Sequence, residues 1–230
     1  DALPIFNPKE KIIEYLLEDP HEKKLIDLSA AELAEETASE SMAPGGGSIS
    51  AYVGALGVSL GTMVANLSAH KAGWDDQWET FSIWAQKGQV YKNKLLFLVD
   101  EDTRSFNKII EAFRLPKDSA EEKRLRLEAI EKATQYATQI PFEVMATAFA
   151  SMEVMEAMIK EGLPNSLSDA AVGILCAKTA VTGAYFNVRI NAKDIKDKSF
   201  VENILFKAKK IYEQALETEN KVIAIIDSKM

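Results

Sequence analysis

An all-α fold is predicted, a single bundle of roughly seven to nine helices. Three observations predict it. Helix-start signatures recur, with Ser29-Ala30-Ala31-Glu32 and Ser119-Ala120-Glu121-Glu122 both reading as capping boxes. Apolar residues return every three or four positions along most of the chain. Strand-like alternation is scarce. With 47% hydrophobic and 27% charged residues over 230 positions, the chain can bury one sizeable core and is not disordered as a whole.

Asn7-Pro8 opens a short amphipathic stretch that Asp19-Pro20 breaks, so residues 1–27 are assigned to an N-terminal arm or linker and residues 28–230 to the helical domain. The start at Asp1 rather than Met suggests a piece of a longer chain. After the helix begun at Ser29 comes Ala43-Pro44-Gly45-Gly46-Gly47-Ser48, a tight loop, and then a helix with no charge up to Ala69. Its length suits a membrane span. Its glycines, serines and threonines suit the central helix of a large bundle better, and no membrane contact is expected. A long helix follows from about Asp75 to Phe113 and ends at Leu115-Pro116. The next begins at Ser119, is interrupted by a break or kink at Pro141, and closes at Gly162 and Pro164. Ser168-Asp169 opens a helix of low charge that reaches Asn191. The last runs from about Ser199 to Asp227 on a stripe that includes Ile204, Ala208, Ile211 and Ala215.

The net charge of −8 argues against nucleic-acid partners. The lone Cys176 excludes an internal disulfide, fits a reducing, cytoplasmic setting and reads as an inert core thiol. Two histidines and one cysteine cannot build a His/Cys metal site. The triglycine is neither a P-loop nor a dinucleotide fingerprint.

Three features could carry chemistry. The triglycine permits close backbone approach and positive φ, and with Ser48 it leads into a helix N-terminus that suits a carboxylate or a pterin carbonyl. Alternatively it is only a sharp turn. Asp102 lies on the stripe Leu95, Val99, Asp102, Phe106, Ile109, Phe113, whereas Asp100, Glu101, Arg104 and Lys108 fall off it and read as solvated. A carboxylate on such a stripe costs several kcal/mol unless paired or protonated, so Asp102 is either functional or a bonded structural residue. Lys178, Thr182, Tyr185 and Arg189 share a helix face that either lines an anionic pocket or meets solvent. His70 reads as an ordinary surface residue.

The Ala43–Ser48 loop, Gly54-Ala55-Leu56-Gly57, Leu98-Val99-Asp100 with Asp102 and Phe106, Leu115-Pro116-Lys117, Ser168-Asp169 and Gly183-Ala184-Tyr185-Phe186-Asn187-Val188 occur in that order. Together they resemble the cyclodeaminase domain of the formiminotransferase-cyclodeaminases and its cyclohydrolase-like bacterial relatives. That resemblance implies an ammonia-releasing cyclisation of 5-formimidoyltetrahydrofolate to 5,10-methenyltetrahydrofolate with no metal or organic cofactor. It implies Asp102 as the catalytic residue. The expected substrate-binding set is Gly45, Gly46, Gly47, Ser48, Asp169, Lys178, Tyr185, Asn187 and Arg189. A (poly)glutamate tail on the folate, a homodimer or larger assembly, and a fused or associated glutamate formiminotransferase domain are implied as partners. Two other readings stay open: a methenyltetrahydrofolate cyclohydrolase, and a non-catalytic helical dimerisation module.

Overall fold

The computed structural model describes residues 24–230, so the stripe expected within residues 8–19 and most of the arm assigned to 1–27 lie outside the described residues. Among the described residues there are six α-helices and no strand. They are α1 (Ala30–Ala38), α2 (Gly46–Ala69), α3 (Trp78–Arg114), α4 (Ala120–Glu161), α5 (Leu167–Asn191) and α6 (Lys198–Lys229). Short 3-10 turns precede or follow several of them. The all-α expectation holds, and the count is below the seven to nine expected.

Pro141 accounts for part of the difference. It was expected to break or kink its helix, yet α4 runs through it without interruption. A proline inside a helix has no N–H to give the carbonyl four residues back. Here that carbonyl belongs to Ala137, and Asn191 Nδ2 of α5 donates to it at 2.8 Å. A side chain from a neighbouring helix replaces the missing bond, so the helix can continue.

Both capping boxes form. Ser29 and Glu32 bond each other's backbone N–H groups at the start of α1, and Ser119 and Glu122 do the same at α4. The chain is released from α3 at Leu115 and from α4 at Gly162, as the sequence signals. The helix expected from Ser168 opens one residue earlier, with Ser166 at its N-cap and Asp169 in its first turn.

α2 is the central helix and packs against α3, α4 and α5. It is long and apolar enough to cross a membrane, but 61% of its apolar window is buried among the other helices. The stretch Pro164–Asp194, which contains α5, passes the same test at 39%. α2 and α5 meet at Gly57 and Gly173. A Cβ on Gly57 would lie 2.7 Å from the Gly173 carbonyl oxygen, and one on Gly173 would lie 2.8 Å from that of Gly57. Absent side chains therefore let the two backbones touch.

α6 covers α5 and α4 with the predicted stripe, of which Ile204, Ala208 and Ala215 are buried. α4 fixes it at both ends. Glu131 accepts the backbone N–H groups of Lys196 and Asp197 at the N-terminus of α6, and Lys229 donates to the carbonyls of Ile159 and Lys160 at 2.8 Å. Each charge thus sits at the helix end whose dipole it complements. Cys176 is only half-buried, and burial pushes its thiol up from the ordinary range. His70 is exposed at the end of α2, with Nδ1 at 2.8 Å from the Asn66 carbonyl oxygen.

Candidate active site

α3 carries two environments on one stripe. Leu95 and Val99 are buried in the core. Past Asp102 the same stripe leaves the core, so Phe106 is 41% and Phe113 54% exposed. With Ile109 they form the apolar wall of a cleft of about 580 Å³, which Met42, Ala43, Gly45, Gly46 and Gly47 also line. α4 contributes Ile130 and Thr134, and the end of α5 contributes Asn187 and Asn191. The size and the apolar wall with few polar groups suit a small-molecule ligand.

Asp102 stands where the stripe changes character. It crosses to the first turn of α2 and accepts the Ser48 N–H at 2.9 Å and the Ser48 hydroxyl at 3.1 Å, both on Oδ2. A helix N-terminus has unsatisfied N–H groups and a positive potential, and the carboxylate answers both. Gly47 makes the approach possible, because a Cβ there would lie 2.5 Å from the Asp102 carboxyl carbon. No described residue donates to Oδ1, which leaves that oxygen for a ligand in the cleft. Burial raises the Asp102 pKa above its ordinary value, and the two Ser48 bonds pull in the opposite direction with less effect.

The triglycine works differently from the expected use of positive φ. Gly45 is the N-cap at φ −94°, and Gly46 and Gly47 begin the helix. Among the described residues only Gly73 has positive φ. What the loop requires is the absence of a side chain at Gly47 for Asp102; at Gly46 a Cβ would only touch Asn187, whose Nδ2 is 3.4 Å away.

Asp100 and Glu101, expected to be solvated, are each only 7% exposed. Asp100 Oδ1 accepts the Leu25 N–H at 2.6 Å, so the segment entering the domain is laid across α3 at this point. Glu101 accepts the Tyr136 hydroxyl of α4 and has Arg104 at 3.3 Å and Lys108 at 3.7 Å. Burial, together with the Glu101 hydrogen bond and charge, pushes the Tyr136 hydroxyl up to about 12. Periodicity identified the Asp102 face correctly. It did not show that the segment at Leu25 and α4 cover the neighbouring faces.

Of the expected binding residues, the structure brings Gly45, Gly46, Gly47, Ser48 and Asn187 together with Asp102. Lys178, Tyr185 and Arg189 do not line the cleft: Lys178 and Tyr185 are half-buried against α6, and Arg189 is exposed. Lys178 is 3.3 Å from Glu219, Tyr185 stacks on Tyr212 with ring centroids 4.7 Å apart, and the Arg189 guanidinium lies 5.5 Å from the Tyr185 ring centroid. Lys178 and Tyr185 pack helix on helix, which neither reading of the stripe foresaw, while Arg189 meets solvent. Asp169 lies eighteen positions before Asn187 on α5, about 27 Å along the axis. The cleft residues that the sequence reading passed over include Thr134, Asn191 and Asp194. A signal for Asn191 existed: a proline within a helical pattern leaves a carbonyl in want of a donor. Among the described residues no group of three or more His, Cys, Asp or Glu side chains is gathered to hold a metal ion.

Comparison with known proteins gives a consistent result. Residues 29–210 match the family model described as formiminotransferase-cyclodeaminase. The formimidoyltransferase-cyclodeaminase of Mus musculus is 33% identical over 230 residues, all of this chain and 42% of the relative. The chain therefore spans well under half the length of that relative. The methenyltetrahydrofolate cyclohydrolase of Methylorubrum extorquens is 28% identical over 193 residues, which is 84% of this chain and 93% of that one. The crystal structure of a formiminotetrahydrofolate cyclodeaminase from Thermotoga maritima superposes with a TM-score of 0.79 at 24% identity, covering 89% of this chain and 98% of that one, and so shares the fold.

Proposed function

Because the chain belongs to the formiminotransferase-cyclodeaminase family, we propose that it closes 5-formimidoyltetrahydrofolate to 5,10-methenyltetrahydrofolate and releases ammonia. The observation that carries this reading is the Asp102 carboxyl in the lining of the cleft, held by Ser48 on Oδ2 and without a described donor on Oδ1.

The reaction needs one bond made, one broken and one proton moved. N10 attacks the carbon of the protonated formimidoyl group, whose nitrogen already carries two hydrogens, and the N10 proton must end on that departing nitrogen. In the proposed mechanism Asp102 Oδ1 takes the proton from N10 as the tetrahedral centre forms. It then delivers the proton to the amino nitrogen, the C–N bond breaks, and N5 supplies the electron pair that completes the methenyl cation. A carboxyl whose pKa is raised by burial is a stronger base when ionised than an ordinary carboxylate, which suits it to take a proton and then return it. The cleft contributes proximity by holding N5 and N10 in one conformation. Side chains supply all of this, so the proposal includes no metal or organic cofactor.

A second reading is favoured by the Methylorubrum relative, which aligns along almost its whole length: hydrolysis of the methenyl ring, with water in the place of ammonia. The deciding experiment follows absorbance of the methenyl chromophore. Appearance from 5-formimidoyltetrahydrofolate supports the cyclodeaminase. Loss of authentic methenyltetrahydrofolate without any formation from the formimidoyl compound supports the cyclohydrolase.

The proposed assembly is a homodimer in the cytoplasm, working beside a transferase domain that supplies the formimidoyl folate. Support for the dimer comes from α2 and α5. Leu56, Met63 and Leu67 on α2 and Val172 and Leu175 on α5 are exposed near the close crossing of the two helices. An apolar surface of this kind marks an interaction site. The exposed Arg189, next to Ile190 of the cleft wall, is the proposed contact for the glutamate tail.

A further inference from the structure

The end of α5 presents the cleft with hydrogen-bond acceptors. Asn187 and Asn191 are one helical turn apart, and both line the cleft with Asp194 just beyond. The two amides are fixed in orientation. Asn187 Nδ2 donates to the Gly183 carbonyl at 2.9 Å, and Asn191 Nδ2 donates to the Ala137 carbonyl at 2.8 Å. A carbonyl can only accept, so neither amide can be turned over without losing its anchor. The anchor of Asn191 exists because Pro141 leaves Ala137 without its helical donor. Among the described residues no donor reaches Oδ1 of Asn187 or of Asn191. Asp194 adds a carboxylate, which accepts only.

The row also has a direction. Asn187 lies against Gly46, at the end of the cleft where Asp102 meets Gly47. Asn191 is about 6 Å farther along the axis, and Asp194 is farther still. A tetrahydropterin has matching polarity. N5, which bears the reacting carbon, is on one side of the ring system. N3–H and the 2-amino group, which are adjacent donors, are on the other.

We propose that Asn191 and Asp194 are the residues that recognise the pyrimidine edge of the folate, accepting from its 2-amino group and N3–H, with Pro141 acting through Ala137 to hold Asn191 in the accepting orientation. Asn187 stands between this edge and the reaction centre. This assignment rests on the folate reading above and specifies which end of the ligand enters where. A site built to accept hydrogen bonds discriminates against a ligand that lacks the donor, because a bound ligand covers the acceptor and leaves it unpaired.

The test compares tetrahydrofolate with its 2-desamino-2-methyl analogue, measuring dissociation constants by calorimetry for the wild type, Asp194→Ala and Asn191→Ala. The wild type is expected to prefer tetrahydrofolate by at least tenfold. In the variant that has lost the acceptor of the 2-amino group, the preference collapses towards unity through weaker tetrahydrofolate binding, while the analogue binds as before. In the variant that has lost the acceptor of N3–H, which both ligands carry, the two ligands weaken in parallel. A preference that survives in both variants, or tetrahydrofolate binding unchanged in either, overturns the proposal. Asp194 is exposed and bears no folding role, so its variant remains informative if Asn191→Ala is unstable. A wild type that binds neither ligand would instead refute the folate reading itself.

Discussion

Asp102 occupies the space where a side chain at position 47 would begin. A Cβ on Gly47 would lie 2.5 Å from the Asp102 carboxyl carbon and 2.6 Å from Oδ2. The glycine and the aspartate are therefore one device, in which the missing side chain of α2 is filled by the carboxyl of α3.

Gly47→Ala tests that device. Alanine favours a helix over glycine by about 1 kcal/mol, but overpacking a closed contact costs about 1–3 kcal/mol. The variant should fold with roughly unchanged or slightly lower stability in urea titration. Displacement of Asp102 should cut turnover by about 10²-fold or more, the scale of lost acid–base catalysis. Gly45→Ala is the steric comparison: nothing lies within 4 Å of a Cβ there, so Asp102 keeps its place and turnover should fall less than in Gly47→Ala. Equal activity in the two variants would refute the steric argument.

Asp102→Asn keeps an acceptor for Ser48 but cannot carry a proton near neutrality. Turnover should fall by about 10²–10⁴ with folate binding retained. Asp100→Asn should behave oppositely. Its carboxylate holds Leu25 rather than facing the cleft, so the loss appears in thermal stability with turnover within a few-fold. Kinetics and melting curves of both variants separate the roles.

The raised Asp102 pKa predicts a pH signature. The folded state holds the proton more tightly than the unfolded chain, so between the unfolded pKa and the higher folded one stability declines as pH rises. Below that window Asp102 contributes no difference, and above it the penalty is constant. Asp102→Asn removes the penalty. Its stability advantage over the wild type should grow from about pH 4 upwards and level off once Asp102 is ionised in the folded state. An advantage independent of pH would show that burial is not the dominant influence on this carboxyl.

Pro141 and Asn191 should be energetically coupled through Ala137. Asn191→Ala leaves that carbonyl unpaired and should cost about 1–3 kcal/mol. In a Pro141→Ala background the helix supplies its own N–H, and the same change should cost clearly less. A double-mutant cycle by chemical denaturation measures the difference. Strict additivity would mean that the Asn191 bond does not replace the helical one.

Leu56→Lys on the exposed face of α2 should dissociate the proposed dimer while leaving the monomer folded, because the side chain points away from the core. Sedimentation of wild type and variant decides it. A wild type that is monomeric at micromolar concentration removes the dimer from the proposal.

These contrasts also show what the sequence made legible. Caps were legible because their partners are three residues apart: Ser29 with Glu32, Ser119 with Glu122. Asp102 was legible because a carboxylate interrupts an apolar period. Helical period reports which residues share a face but not what that face meets. The Lys178–Tyr185–Arg189 face was thus identified as a unit and assigned to a ligand or solvent, when Lys178 and Tyr185 meet Glu219 and Tyr212 of α6 and only Arg189 is exposed. Asp100 and Glu101 were misread for the same reason, since their partners Leu25 and Tyr136 are distant in sequence. Pro141 was read by its local rule alone, and a donor 54 positions away changed the outcome.

The bond between Ser48 and Asp102 spans the same 54 positions, and it ties the middle of one helix to the first turn of another. The proposed catalytic carboxyl consequently has no defined surroundings until α2 and α3 have docked. A collapsed chain with every helix formed but its helices still sliding would look native to far-ultraviolet circular dichroism and have no site at all. Turnover in this protein is accordingly a gauge of tertiary order. Under mild denaturant it should vanish with side-chain packing, before the helices themselves melt.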